Sequence, residues 1–299
     1  MISRVTRSSM QFTALRHLQA KDATLAALLE RQSSGKTITV PSDDPAGTVD
    51  ALRLRSEQRA NAQYTRNTND AIGWLSTLDS TLLSTSSQII SVRDLIVQAG
   101  NGALSETQRI SIASQLEASS GTLLGLANTT YMGRNIFAGT SAAESAFTDN
   151  GDGTYTWNGS AGSAVERRLG DDTTVQVDSD GGGVFGNGAT SLFAVIDSFA
   201  TALRNGDALD VSAALNTIDG FHSAVLSESA SVGTRYNQAK AAQSTQESLT
   251  VTLKQQLSSV EDADLAETVI QVSMQQVAYQ AALSATAQVL QPSLLDFLS

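Results

Sequence analysis

The chain has 299 residues, enough for about two domains, and 41% of them are hydrophobic while only 5% are aromatic. A core made mostly of Ala, Leu, Val and Ile suits thin packing between helices better than one large globule. The net charge of -11 and the isoelectric point near 4.6 argue against binding to nucleic acid or to an anionic membrane surface, because both need a basic face.

The sequence contains no signal for a membrane span or for Sec-dependent export. No apolar run approaches the roughly 18 residues that a span needs. The N-terminal segment carries Arg4, Arg7 and Arg16 and has no apolar block. The absence of cysteine fits a cytosolic protein, and it fits equally a protein that works outside the cell without disulfides. Composition therefore leaves the compartment open.

The first predicted element is a helix over residues 3–34, a segment without Gly or Pro. Gly35 stands where a C-cap glycine would end this helix, and an extended link follows. Asp44 and Pro45 match an N-cap and a first-turn proline, so a second helix is predicted from Pro45 to Gln98. After a Gly-rich break, Ser105 and a glutamine three residues later form a capping-box pattern, which predicts a third helix to about residue 128.

Glycines and short apolar-polar alternations between residues 133 and 188 predict a small β-rich insert. Tyr155 and Trp157 would share one face of a strand that runs into a hairpin at Asn158-Gly159. Val175 and Val177 alternate in the same way. A second glycine-containing stretch, DNGDG at residues 149–153, is interpreted as hairpin turns.

Helices return at about Ser191, and the first of them ends at Asn205-Gly206. Residues 234–299 contain no Gly, and apolar positions there recur at alternating spacings of four and three, which is typical of a coiled coil. The recurring residues are Leu265, Val269, Val272, Gln276, Tyr279, Leu283, Thr286 and Leu290.

A second stripe of small and apolar residues lies beside this seam, at Ala263, Ile270, Met274, Val277 and Ala281. A helix with two apolar stripes needs more than one neighbour, which indicates packing between subunits. The predicted fold is therefore mainly α with a small, outward-facing β-rich insert. Long antiparallel helices from the two termini would form a coiled coil or helical bundle.

Enzyme-like motifs fail on inspection. Gly35-Lys36-Thr37 resembles the end of a phosphate-binding loop, but Glu30 occupies the position of the required first glycine. GGGVFG at residues 181–186 matches an isolated dinucleotide fingerprint, but a helix follows where a second parallel strand is required, so a flexible loop is predicted there. Two histidines and no cysteine exclude the usual zinc sites. Asp44 next to Pro45 needs no catalytic or metal-binding explanation, because capping and turn formation account for this pair. We expect no catalytic residue, no cofactor and no metal.

Several ordered motifs resemble the flagellin superfamily. They are LERQSSGKTITVPSDDPAG after the first helix, RNTNDAIGWLSTLDSTL at residues 66–82, VRDLIVQAGNGALSETQRISIASQLE at residues 92–117, MGRNIFAGTS before the insert, and SVGTRYNQ at residues 231–238. The resemblance covers roughly residues 1–140 and 190–299. It implies a structural protein of the bacterial flagellum.

Two branches of the superfamily fit: the filament subunits themselves, and the adaptor subunits that join hook to filament. PSDDPAG and the C-terminal QPSLLDFLS are similar to the adaptor branch. That resemblance implies export through the flagellar type III apparatus without a cleaved signal, and an extracellular location. The implied partners are the other junction protein, flagellin, further copies of the chain in a ring, and an export chaperone.

Five segments are expected: an N-terminal assembly helix and linker (1–44), the two halves of a helical rod domain (45–140 and 191–249), a β-rich outer domain (141–190), and a C-terminal coiled-coil helix (250–299). The expected assembly-interface residues are Val5, Phe12, Leu18, Leu25, Leu265, Val269, Val272, Tyr279, Leu283, Leu290, Leu294 and Phe297.

Overall fold

A computed structural model describes residues 2–290 of the chain, and it describes side chains at residues 9, 10 and 12–287. The helices are α1 (Ile2–Ser34), α2 (Pro45–Ala99), α3 (Glu106–Ala127), α4 (Gly181–Phe185), α5 (Leu192–Asn205), α6 (Val211–Glu261) and α7 (Leu265–Leu290). The strands are β1 (Thr130–Tyr131), β2 (Arg134–Asn135), β3 (Phe147–Asp149), β4 (Tyr155–Trp157), β5 (Glu166–Arg168) and β6 (Thr174–Gln176). The predicted fold class, mainly α with a small β insert, is confirmed.

The chain divides into two compact units, Met1–Arg59 with Thr250–Ser299, and Ala60–Leu249. In the first unit α1 packs against α7. The side-chain amide of Gln275 donates to the carbonyl of Lys21 at 3.0 Å, and the N–H of Ala263 donates to the carbonyl of Gly35 at 2.9 Å. Residue numbers rise along α1 while those of the facing residues of α7 fall, so the two terminal helices are antiparallel, as predicted.

The predicted helix ends are confirmed where local hydrogen bonding sets them. Gly35 has a φ of 67°, and its N–H donates to the carbonyl of Arg31, which ends α1. Asp44 Oδ1 accepts from the N–H groups of Ala46 and Gly47, each at 3.0 Å, and so caps α2. The capping box predicted at the start of α3 is present as well.

The helix predicted to run unbroken over residues 250–299 is interrupted, and its predicted continuity is wrong. α6 ends at Glu261 and α7 begins at Leu265. Asp264 Oδ1 accepts from the N–H groups of Ala266 and Glu267, at 2.9 and 3.2 Å. These are the free donors of a first helical turn, so Asp264 is the N-cap of a new helix.

In the second unit α2 and α6 form an antiparallel pair with a long heptad seam. Arg93 Nε donates a hydrogen bond to Asp219 Oδ1 at 2.9 Å, and the side-chain amide of Asn61 donates to the carbonyl of Gln246 at 3.0 Å. Successive buried residues of α6 in this unit stand seven apart, and ten of the buried residues of α2 form one line at alternating spacings of three and four, as coiled-coil packing requires. They are Ile218, Val225, Val232, Ala239 and Gln246 in α6, and Thr68, Ala71, Leu75, Leu78, Leu82, Thr85, Ile89, Val92, Ile96 and Ala99 in α2.

The β insert consists of three two-stranded antiparallel hairpins, β1–β2, β3–β4 and β5–β6. The hairpin turn predicted at Asn158-Gly159 is wrong, because β4 pairs with β3, which precedes it. The connecting turn contains Gly151 and Gly153, whose φ values of 73° and 82° favour glycine, so the turn predicted in DNGDG is confirmed. The strand with Tyr155 and Trp157 is also confirmed.

The insert shares its core with α5 through a cluster of aromatic rings. Phe185 lies at its centre, with ring centroids 5.1 Å from Phe137, 5.6 Å from Phe147 and 5.7 Å from Phe193. All four side chains are essentially inaccessible to solvent. Edge-on and offset arrangements at these distances are the favourable ones for aromatic pairs.

The flexible loop predicted at GGGVFG is wrong, because residues 181–185 form the short helix α4. Asp180 caps it by accepting from the N–H of Gly182 at 3.1 Å. A Cβ at Gly181 would lie 2.5 Å from the carbonyl oxygen of Phe137, so the absence of a side chain lets α4 approach this backbone. Gly181 therefore serves close packing in the core.

Gly181→Ala is therefore expected to lower the free energy of unfolding of this unit by about 1–3 kcal/mol. The added methyl group would clash with the backbone of Phe137, which cannot move away without an energetic cost. Gly183→Ala is the matched control. Its Cβ would meet only the Asp180 side chain, at 3.3 Å, and alanine favours helix. Urea titration of both variants measures the difference, and equal midpoints would contradict the close-packing explanation.

Candidate assembly surfaces

The contact between α1 and α7 uses one seam of α7. Thr268 and Val272 are the buried side chains of α7 among those described, and the half-buried positions that continue the seam are Gln275, Tyr279, Ala282 and Thr286. The spacings alternate between four and three, as in a coiled coil. The seam is thin, because several of its members are small or polar.

Part of the seam predicted for α7 lies beside this contact rather than in it. Val272 is buried and Tyr279 is half-buried, but Leu265, Val269 and Leu283 are exposed in the chain. At 3.6 residues per turn these three lie on a line roughly 80° around the helix from the observed seam. We call Leu265, Val269 and Leu283 the flank stripe.

A second exposed apolar line, the outer stripe, lies on the opposite side of α7 from α1. It consists of Ile270, Met274 and Val277, which are 60%, 68% and 66% exposed. Residues 268–290 contain no charged side chain. Burial of one such side chain contributes about 1.5–3 kcal/mol, so this face favours a further apolar neighbour.

α1 is even less buried than α7. None of its described side chains is buried, and the half-buried apolar ones are Ala14, Leu18, Leu25 and Leu28. Phe12 is exposed, and so are three other large apolar residues of this helix, Met10, Leu15 and Leu29. α1 therefore presents apolar side chains to water along with its contact to α7.

The structure thus places the predicted interface residues in three settings. Leu18, Leu25, Val272 and Tyr279 belong to the contact between α1 and α7, and Phe12, Leu265, Val269 and Leu283 are exposed. The side chains of Val5 and Leu290, and residues Leu294 and Phe297 altogether, lie outside the described part of the chain.

A third exposed apolar line, in the second unit, was not predicted. Leu83, Ile90 and Val97 of α2 stand seven residues apart and are 58%, 46% and 52% exposed. Each directly follows a fully buried residue of the α2 seam, in the doublets Leu82-Leu83, Ile89-Ile90 and Ile96-Val97. Such doublets at heptad spacing are the sequence signal that indicates a second apolar line on one helix.

Three titratable groups with shifted pKa values have structural roles. Asp43 Oδ2 accepts from the N–H groups of Val40 and Thr39, and these bonds hold the pKa of its carboxyl below the usual value. Burial raises the pKa of Asp178, whose Oδ1 accepts from the N–H of Val165. Burial and the hydrogen bond to Asp197 raise the pKa of the Tyr155 hydroxyl.

Metal sites and membrane-spanning helices are both absent from the described residues. No group of three or more His, Cys, Asp or Glu residues could hold a metal ion there. No helix in the same part of the chain is long and apolar enough to cross a membrane.

Both ends of the chain match models of flagellin helical regions. Residues 5–142 match the bacterial flagellin N-terminal helical region, and residues 215–298 match the C-terminal helical region. Flagellar hook-associated protein 3 of Escherichia coli is 31% identical over 280 residues, covering 86% of this chain and 87% of the relative. The chain therefore belongs to the flagellin family, as the sequence motifs predicted, and is a structural protein rather than an enzyme.

Within the family the similarity differs between branches. Flagellin E of Vibrio cholerae is 33% identical over 127 residues, which cover 42% of this chain and 34% of that flagellin. The solved structure of FlgL from Xanthomonas campestris has a TM-score of 0.61 at 20% identity, covering 69% of this chain and 99% of the other. The chain is thus similar to hook-associated protein 3 along most of its length, and the predicted resemblance to that branch is confirmed.

Proposed function

We propose that this chain is an extracellular adaptor of the bacterial flagellum that joins the hook to the filament. The proposal rests on one observation: α7 has two uncharged lines of apolar side chains, the flank stripe and the outer stripe, that α1 does not cover. A subunit that bonds to different neighbours on its two sides needs more than one such line. Similarity to hook-associated protein 3 over 86% of the chain supports this function.

The assembly contacts are assigned to the terminal segments, residues 1–44 and 250–299. The flank stripe and the outer stripe of α7, with Phe12 of α1, would be covered by helices of neighbouring subunits in a ring. The other junction protein would lie on the hook side and flagellin on the filament side. The β-rich segment, residues 141–190, would face outward.

Delivery to that position requires the stripes to be covered before assembly. We assign this role to an export chaperone that holds the C-terminal helix in the cytoplasm, followed by passage through the flagellar type III apparatus without a cleaved signal. The absence of charge over residues 268–290 supports such a hydrophobic partner.

A flagellin is the second candidate, because the terminal regions are shared across the family. Electron microscopy of the purified protein separates the two, incubated alone and with basal bodies whose hooks end in the other junction protein. We expect the protein to decorate the hook tips without elongation. Long filaments grown from the protein alone would instead identify a flagellin.

A further inference from the structure

The breaks between α1 and α2 and between α6 and α7 lie side by side in the first unit. Lys36 and Asp262 form an antiparallel β-bridge. The N–H of Thr37 donates to the carbonyl of Glu261 at 2.7 Å, and the N–H of Ala263 donates to the carbonyl of Gly35 at 2.9 Å. The link after α1 and the break after α6 are therefore paired with each other, and we call the paired residues 35–37 and 261–263 the joint.

Glu261 closes the joint with its side chain as well as its backbone. Its Oε2 lies 3.0 Å from Lys36 Nζ and its Oε1 lies 2.6 Å from Arg55 Nη2. The Glu261 side chain is only 5% exposed, whereas the two cations are 42% and 47% exposed. One buried carboxylate thus ties the link after α1 and the first part of α2 to the last residue of α6.

The joint affects how α1 and α7 pack, because few buried side chains hold these two helices in place relative to each other. The seam between α1 and α7 buries few side chains, and α7 has apolar residues on three lines. Such a pair can shift by one heptad or rotate to another line at little cost, since register is specified only by what is buried. Because the joint fixes the two helices to each other at one end, it prevents such a shift or rotation.

We infer that Glu261 is a positioning residue that sets the register of α1 against α7 in the free subunit by holding the joint closed. The Glu261 carboxylate holds Lys36 next to Asp262, so residues 21 and 275 come opposite each other about three to four helical turns away. The consequence for assembly rests on the proposed function, because a defined register decides which stripes of α7 remain uncovered for neighbouring subunits.

Glu261→Gln tests this in the full chain, since it keeps the size of the side chain and removes its charge. The amides of Thr37 and Ala263 are expected to exchange with deuterium at least about tenfold faster, as expected when charge-assisted hydrogen bonds are lost. Glu57→Gln is the matched control, because Glu57 forms an exposed pair with Arg53 on the surface of α2. Unchanged exchange at both amides in Glu261→Gln would overturn the inference.

Register is measured directly with spin labels at Asp22→Cys and Ser273→Cys, two exposed positions beside the contact of Lys21 with Gln275. The chain has no cysteine of its own, so the labels attach only there. We expect one narrow distance distribution in the otherwise unaltered chain and in Glu57→Gln, and a broadened one in Glu261→Gln. A distribution that stays narrow in Glu261→Gln would show that the seam sets its own register, and would overturn the inference.

These readouts use the free subunit, so they stand even if the protein does not bind hook tips. Failure of the unaltered protein to decorate hook tips would refute the proposed function and leave the joint untouched. Decoration by Glu261→Gln as efficient as by the unaltered protein, with register lost, would overturn the role of the joint in assembly.

Discussion

Val277→Asp is expected to abolish incorporation at the hook tip while leaving the free subunit folded. Val277 is 66% exposed and lies on the side of α7 away from α1, so the change is expected to leave the contact between these two helices intact. In the proposed assembly the outer stripe is covered by a neighbour, and an unpaired carboxylate there would cost about 3 kcal/mol or more per contact. That corresponds to a loss of affinity of roughly 100-fold.

The measurement is the fraction of hook tips decorated, with circular dichroism of the free protein to verify folding. Gln280→Asp is the matched control, because it adds the same charge at an exposed polar position of the same helix and is expected to incorporate normally. Normal decoration by Val277→Asp would show that the outer stripe stays in water, and would contradict its assignment to the interface.

The sequence predicted best those features that depend on hydrogen bonds within a few residues. Gly35 ends α1, Asp44 and Pro45 start α2, and Gly206 ends α5 with a φ of 78°, all as predicted. In each case the capping residue and the backbone groups that it bonds lie within a few residues of each other, so a short stretch of sequence contains the whole signal. The break at Asp264 used the same chemistry, but no Gly or Pro accompanied it to mark the end of a helix.

Features that depend on distant partners were predicted less well. Asn158-Gly159 has the composition of a hairpin turn, yet a Cβ at Gly159 would lie 2.2 Å from the ring of Trp157, so this glycine makes room for an aromatic side chain instead. In α7 the heptad period was correct, but Leu265 and Val269 were assigned to the seam with Val272. The choice among three apolar lines is made by α1, and no pattern within α7 contains that information.

Phe185→Ala is expected to cause the largest loss of stability, about 3–5 kcal/mol in the unit Ala60–Leu249. The ring of Phe185 contacts Phe137, Phe147 and Phe193, which come from the β insert and α5. Alanine would leave a cavity against three rings that are themselves held by neighbouring elements, so the site cannot collapse to fill it. A loss of this size is a large share of the 5–15 kcal/mol that stabilises a typical domain.

Urea unfolding followed by tryptophan fluorescence measures this loss in the right place, because both tryptophans, Trp74 and Trp157, lie in that unit. Phe12→Ala makes the same substitution at a side chain that is 65% exposed in α1, and it should leave the tryptophan transition within about 0.5 kcal/mol. If Phe185→Ala lost less than about 1 kcal/mol, the aromatic cluster could not be what joins the insert to the helices. The unit would then be held mainly by the heptad seam of α2 and α6, and Leu78→Ala in that seam would be the more damaging change.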